Sequence, residues 1–189
     1  FFFEAMAAPL SEAELSKLLD ETIRTIPDFP KPGIKFKDIS SLLRDPAVFK
    51  LAIEAICKFA KEQNADVIAG AESRGFIVGI PVAVELGLPF VMMRKPKKLP
   101  GECLSCTYDL EYGTDTIQMQ ADSIKPGQRV LIVDDLIATG GTIKACQTLV
   151  ETAGGKVAGL AFIVELSFLH GRDKIGSDAP PILSLLKLD

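Results

Sequence analysis

The feature that most limits how this chain folds is a short apolar run that passes through a polar turn into a helix-like segment and then into a second apolar run. The pattern occurs twice. "DVIAGAE" (66–72), "SRGFIVGIPVAVELG" (73–87) and "LPFVMMR" (88–94) form one such unit, and "RVLIVDD" (129–135), "GGTIKACQTLVETAGG" (140–155) and "KVAGLAFIVEL" (156–166) form the other. Strands that are apolar at nearly every position are buried on both faces, so they pair in parallel under covering helices. The predicted fold is α/β, a doubly wound, mainly parallel sheet flanked by helices. A chain of 189 residues with 48% hydrophobic content carries enough core for one domain. No linker or repeat divides it, so 1–189 reads as a single domain.

Around this frame the signals are more local. Ser11 and Glu14 form a capping box ahead of Leu15, Leu18, Leu19, Ile23 and Ile26, which predicts a helix over about 11–25. The prolines and glycine of "PDFPKPG" (27–33) stop it, and "IKFKDIS" (34–40) reads as irregular, an N-terminal hood. Asp45-Pro46 supplies an N-cap and a first-turn proline for a second helix, with Phe49, Ile53, Ile56 and Phe59 or Ala60 on one face. Between the two strand–helix–strand units, the chain alternates polar and apolar residues on either side of "YGTD", as a hairpin does. Insertions of that length in compact domains are often lids, and a flexible lid is expected over 95–120. "DAPPILSLLKLD" (178–189) contributes a last strand. Met6 is the expected native start, with residues 1–5 an appended remnant.

Composition excludes several classes. A net charge of -4 argues against a general nucleic-acid binder. The longest apolar run, "FIVGIPVAV" (76–84), falls short of the ~20 residues a membrane span needs. "FFFEAM" lacks the basic start and apolar centre of a signal peptide. Four dispersed cysteines, Cys57, Cys103, Cys106 and Cys146, form no secreted disulfide framework and fit a reducing cytoplasm. Zinc at Cys103 and Cys106 would need two further ligands, and the only histidine is His170, read as a surface or interface residue. A disulfide between Cys103 and Cys106 would restrain the lid.

Ligands of open parallel sheets bind beyond the carboxyl ends of the strands, near a switch point. Both polar turns belong there. Ala138 to Thr142 offers small residues and successive N–H groups ahead of a helix, an anion nest to which Thr139 and Thr142 add hydroxyls. A Walker-type loop would have lysine after its last glycine, where Thr142 stands, so a phosphate monoester fits better than ATP. Asp134 and Asp135, just before the nest, suit the hydroxyls of a sugar attached to that phosphate. Helix capping or metal binding is the alternative use of paired acids at a strand end.

The string "VLIVDDLIATGGT" closely resembles the phosphoribosyl pyrophosphate motif of type I phosphoribosyltransferases. "IPDFPKPGIKFKDIS", "AGAESRGFIVG", "RKPKKLPG", "LEYG" and "VELSFLHGR" are similar, in order and spacing, to the adenine-using members of that family, over nearly everything after residue 10. The resemblance assigns Asp134 and Asp135 to the ribose hydroxyls, and Ala138, Thr139, Gly140, Gly141 and Thr142 to the 5-phosphate. Ser73, Arg74 and Gly75 match its pyrophosphate loop, and Arg94, Lys95 and Lys98 resemble cations near the pyrophosphate, some reaching from the partner subunit of a homodimer. Phe36 matches the residue that stacks on adenine, Leu136 the one closing the opposite side, and backbone groups at Lys35 and Lys37 those that read the base edge. The family often has an aliphatic residue at 35 and arginine at 37, so this chain departs twice. Glu111 and Tyr112 match the catalytic pair, Glu111 handling the proton on the imidazole ring of adenine. Read without the resemblance, Phe36 is ordinary core, Arg74 a surface ion-pair residue and "RKPKK" a solvated charge run.

The implied reaction joins adenine N9 to C1 of phosphoribosyl pyrophosphate, giving AMP and pyrophosphate in purine salvage. Mg²⁺ is the implied cofactor, held mainly by the substrate rather than by a protein cage, and neither nucleic acid nor membrane is an expected partner. Two other readings stay open: a phosphoribosyl pyrophosphate sensor without catalysis, and an enzyme using hypoxanthine, guanine or a pyrimidine. The chain lacks a helix-turn-helix signal before the second helix, and "LEYG" favours an enzyme over a sensor.

Overall fold

The computed structural model describes residues 10–109 and 113–189. The chain divides into two compact units, Phe1–Ala52 and Ile53–Asp189.

In the first unit, α1 (Glu12–Thr22) starts at the expected capping box, with Ser11 and Glu14 exchanging hydrogen bonds and Leu15 and Leu19 buried. It ends earlier than the apolar spacing implied. Ile26 precedes Pro27, whose ring disfavours helical backbone in the residue before it. Residues Arg24–Pro27 instead form β1, which pairs antiparallel with β2 (Lys35–Asp38), Ile26 opposite Phe36. The hood is therefore a small hairpin rather than an irregular segment. The Asp28 carboxylate accepts from the Gly33 N–H at 2.7 Å and closes its loop. A short turn, α2 (Ser40–Leu43), follows. Helix α3 (Pro46–Glu62) then begins where expected, with the Val48 N–H donating to Asp45 Oδ1 at 3.1 Å.

The second unit holds the parallel sheet. Its elements are β3 (Val67–Ala71), α4 (Arg74–Leu86), β4 (Phe90–Met93), β5 (Cys103–Asp109), β6 (Thr114–Gln120), β7 (Arg129–Ile137), α5 (Gly141–Thr152), β8 (Lys156–Leu166), α6 (Gly171–Ile175) and β9 (Ile182–Leu188). The sheet runs β4-β3-β7-β8-β9, every pairing parallel. Alternation along β3 sends Val67, Ala69 and Ala71 into the same core as α5, whereas Gly70 meets the start of α4 on the other face. Helix α4 stops at Gly87, which has φ 65°. The expected hairpin is present as β5–β6, packed on α5 and contributing Ile117 and Met119 to the core.

Chain order leaves β3 toward β4 on one side and β7 toward β8 on the other, so the switch point falls between β3 and β7. Among the described residues, no helix is long and apolar enough to cross a membrane.

Candidate active site

At the carboxyl ends of β3 and β7, residues 72–74 and 134–143 line one cleft of ≈ 250 Å³. The two turns picked out by chemistry thus share a cavity at the switch point. Gly75 makes this approach feasible, since a Cβ there would lie 2.9 Å from the Val133 carbonyl oxygen and 3.1 Å from Asp134 Oδ1.

Strand β7 continues through both aspartates to Ile137 rather than ending at Asp135. Strand alternation therefore turns Asp134 and Asp135 to opposite faces. Asp135 is 2% exposed, and Arg74 Nε lies 3.1 Å from its Oδ2. That oxygen is buried and makes no hydrogen bond, so its charge is balanced by the Arg74 ion pair. Asp134 Oδ1 accepts from the Asp135 N–H at 2.9 Å. Burial raises the pKa of both carboxyls above the ordinary carboxylate range, the charge of Asp135 raises Asp134 further, and Arg74 opposes the rise at both. Two half-compensated acids at a cleft floor are built to accept hydrogen bonds or a cation.

Beyond them, Ala138 to Gly140 leads into α5. Gly140 has φ 80°, and no side chain caps the helix, so its first N–H groups face the loop without an internal partner. The loop shape is held from the turn that follows β8. A Cβ on Gly140 would sit 2.3 Å from the Gly171 carbonyl oxygen, and one on Gly171 only 2.2 Å from that of Ala138. Arg172 then clamps this turn to the sheet, donating to Glu165 at 2.7 and 2.6 Å, with Glu165 itself 6% exposed. "HGR" was a readable signal, but its partner Ala138 is 33 residues away and only folding joins them. His170 is exposed and 4.0 Å from Asp173, as a surface residue would be.

Two of the expected pyrophosphate cations, Arg94 and Lys95, are already paired with carboxylates. Arg94 donates to both Glu72 oxygens at 3.2 Å and lies 5.9 Å from the Phe76 ring centroid. The Lys95 N–H also reaches Glu72, at 3.0 Å. Burial would raise the Glu72 pKa, but these donors outweigh it and hold the carboxyl below its usual range. The Lys95 ammonium binds Asp115 on β6, and Lys98, exposed, accepts from Arg94 through its backbone oxygen at 3.1 Å. On the phosphate side, Thr142 Oγ1 donates to the Tyr108 hydroxyl at 3.1 Å.

In the first unit, Phe36 packs edge-on against Phe29 with centroids 5.1 Å apart, and Lys37 pairs with Asp20 at 3.1 Å. The β1–β2 sheet has two strands, so the outer edge of β2 keeps its backbone groups unpaired among the described residues; Lys35 and Lys37 share an edge by alternation. Glu111 and Tyr112 lie outside the described residues, as do Met6 and the residues before it.

Two further expectations concern metal and sulfur. Among the described residues no cluster of three or more His, Cys, Asp or Glu is positioned to hold a metal. Cys103 and Cys106 sit three apart on β5, hence on opposite faces and about 10 Å apart along a strand. A disulfide needs Cα atoms within roughly 7 Å, so a Cys103–Cys106 bridge does not fit this strand.

The phosphoribosyl transferase domain matches residues 38–180 of this chain, which therefore belongs to the phosphoribosyltransferase family. Its relatives narrow the group. It is 56% identical over 165 residues to adenine phosphoribosyltransferase from Brevibacillus brevis, covering 87% of this chain and 96% of that protein. The crystal structure of adenine phosphoribosyltransferase from Thermoanaerobacter pseudethanolicus superposes with a TM-score of 0.87 at 50% identity, over 91% of this chain and 99% of that one. The Saccharomyces cerevisiae enzyme, solved with adenine and an imino-altritol bisphosphate, matches with a TM-score of 0.86 at 40% identity, over 92% and 99%.

Proposed function

We infer that this chain transfers the 5-phosphoribosyl group from phosphoribosyl pyrophosphate to N9 of adenine, giving AMP and pyrophosphate. The single observation that carries this reading is the convergence of the Asp134–Asp135 strand end, the Ala138–Thr142 nest and Arg74 on one switch-point cleft. The activity agrees with that of its relatives.

The 5-phosphate takes the N–H groups of the loop and the hydroxyls of Thr139 and Thr142, while Asp134 and Asp135 accept from the ribose hydroxyls. As the C1–O bond breaks, positive charge develops on the sugar and negative charge on the departing diphosphate. Ser73 and Arg74 face the latter, with Arg94, Lys95 and Lys98 as further cations. Phe36 supplies the stacking surface for adenine, Leu136 an apolar wall, and the open backbone edge at Lys35 and Lys37 reads the base. Glu111 manages the proton on the imidazole ring and Tyr112 accompanies it.

The carboxylate oxygens of Asp134 and Asp135 are the hard donors that line the cleft, and they fit Mg²⁺ arriving on the substrate, with Asp134 and Asp135 the residues that would approach it. When bound, the ion supplies neutralisation of diphosphate charge. The chain functions as one domain with hood and lid. Helix α4 presents Ile77, Ile80 and Val84 at 41%, 46% and 77% exposure, an apolar face that supports a homodimer. The four free cysteines accord with a cytoplasmic setting.

The test mixes protein, phosphoribosyl pyrophosphate and Mg²⁺ with adenine, hypoxanthine, guanine or pyrimidine bases and follows nucleotide formation. Adenine-selective AMP production, reduced about 10²- to 10⁴-fold in Glu111→Ala, is the expected result. Binding without turnover of any base would make the protein a sensor, and selective turnover of another base would reassign the substrate.

A further inference from the structure

The reaction above uses Thr142 at the 5-phosphate end and Lys95 at the pyrophosphate end, and leaves unused a line of polar groups that joins them. Thr142 Oγ1 donates to the Tyr108 hydroxyl at 3.1 Å, and Tyr108 donates to Asp115 Oδ2 at 3.3 Å. The same carboxylate oxygen holds the Lys95 ammonium. Tyr108 on β5 and Asp115 on β6 are register partners, so the hairpin ladder places both side chains on one face. Burial raises the Tyr108 pKa above its ordinary value and keeps the hydroxyl protonated. Its bond to Lys95 is the main reason the Asp115 carboxyl stays below its usual range and ionised.

The competition at each end follows from hydrogen counting. A hydroxyl has one hydrogen to give. A phosphate oxygen is a stronger acceptor than a phenol oxygen, so Thr142 must leave Tyr108 to serve a phosphate in the loop. At the far end Asp115 competes with pyrophosphate for Lys95, and the hydrogen bond from Tyr108 takes up part of the carboxylate charge that holds the ammonium.

Building on the phosphoribosyltransferase reading, we propose that Tyr108 is a positioning residue linking the two anion-binding ends of the cleft: it competes with the 5-phosphate for the Thr142 hydrogen and loosens the hold of Asp115 on Lys95. The two ends of the substrate are thereby tuned against each other by one phenol.

Tyr108→Phe removes a single oxygen and keeps the ring in its half-buried place. Calorimetric titration with ribose 5-phosphate and, separately, with magnesium pyrophosphate compares it with the wild type. The variant binds ribose 5-phosphate about threefold more tightly and pyrophosphate about threefold more weakly, the size of one net hydrogen bond. Asp115→Asn, which releases Lys95, binds pyrophosphate about threefold more tightly, reversing the second change. A general structural lesion weakens both ligands in both variants. That outcome, or no change at either end of Tyr108→Phe, overturns the proposal. A wild type that binds neither probe removes the site reading and the proposal with it; a wild type that binds both, matched by Tyr108→Phe, removes the proposal alone.

A spectroscopic check is available because the chain has two tyrosines and no tryptophan. In Tyr112→Phe, Tyr108 is the sole emitter, and ribose 5-phosphate changes its fluorescence with the Kd found by calorimetry on that same variant. Saturation by calorimetry with unchanged emission contradicts the link.

Discussion

After β7 the chain turns through Ala138 to Gly140, where glycine-to-carbonyl approaches of 2.2–2.3 Å for any added Cβ set the shape. After β3 it turns through Glu72 to Arg74, where ion pairs to Asp135 and from Arg94 do the holding. One turn is built from backbone and the other from side-chain charge. A backbone-built nest is fixed in geometry and less sensitive to salt, because its donors are held by the chain and carry no net charge. A charge-built turn tolerates changes of shape but depends on counterions and ionic strength.

The sharpest way to break this comparison is to add one methyl group to the backbone-built turn. Gly171→Ala drives a Cβ into the Ala138 carbonyl, and about 3 kcal/mol of stability is lost through overpacking. Thermal unfolding registers that loss, and ribose 5-phosphate affinity falls about 100-fold with it. On the charge-built side, Arg74→Gln raises the KM for phosphoribosyl pyrophosphate about 10- to 100-fold, the range for a bond to a charged group, and leaves the KM for adenine unchanged. The wild-type advantage shrinks as salt rises, whereas the effect of Gly171→Ala does not. Equal salt sensitivity in the two variants would erase the distinction.

A smaller effect separates binding from stability. Asp134 is raised by burial and by Asp135, so between its unfolded value and its folded one the native state binds more protons than the unfolded chain. Stability of the ligand-free protein therefore falls as pH rises through that window. Asp134→Asn removes the penalty, raising the ligand-free thermal midpoint by about 2–4 °C while abolishing turnover, and it flattens the corresponding part of the pH–stability curve. A lowered midpoint would show that the acid is structural.

The smallest expected effect has the opposite sign and lies in the first unit. Asp38 is lowered to about 2, chiefly by the Ser40 side-chain and backbone hydrogen bonds and then by Arg24. Its contribution is complete above the ordinary value of 3.8 and disappears as pH falls through about 2. It amounts to less than about 1 kcal/mol at a solvent-facing pair. An NMR titration that finds Asp38 at its ordinary pKa would remove it.

Local signals were readable where the physics is local. The capping box at Ser11, the Asp45 N-cap, the Gly87 stop and the apolar strands all appear in the structure at or near their expected places. The hood hairpin is not legible in the sequence, because β1 looks like the tail of a helix until its partner β2 is found 8 residues beyond its end, and pairing is a property of two segments. The place of Asp134 and Asp135 near a strand end is legible, but their turning to opposite faces depends on β7 continuing to Ile137.

By itself, the sequence determined the sheet class and the kinship with phosphoribosyltransferases, because residue type and short-range order suffice for each. Tertiary structure alone decided that Gly171 supports Ala138, that Arg74 rather than a neighbour balances Asp135, and that Thr142, Tyr108, Asp115 and Lys95 stand in one line. These are contacts between residues far apart in the chain, and their energies depend on distance and burial, which composition and spacing do not encode.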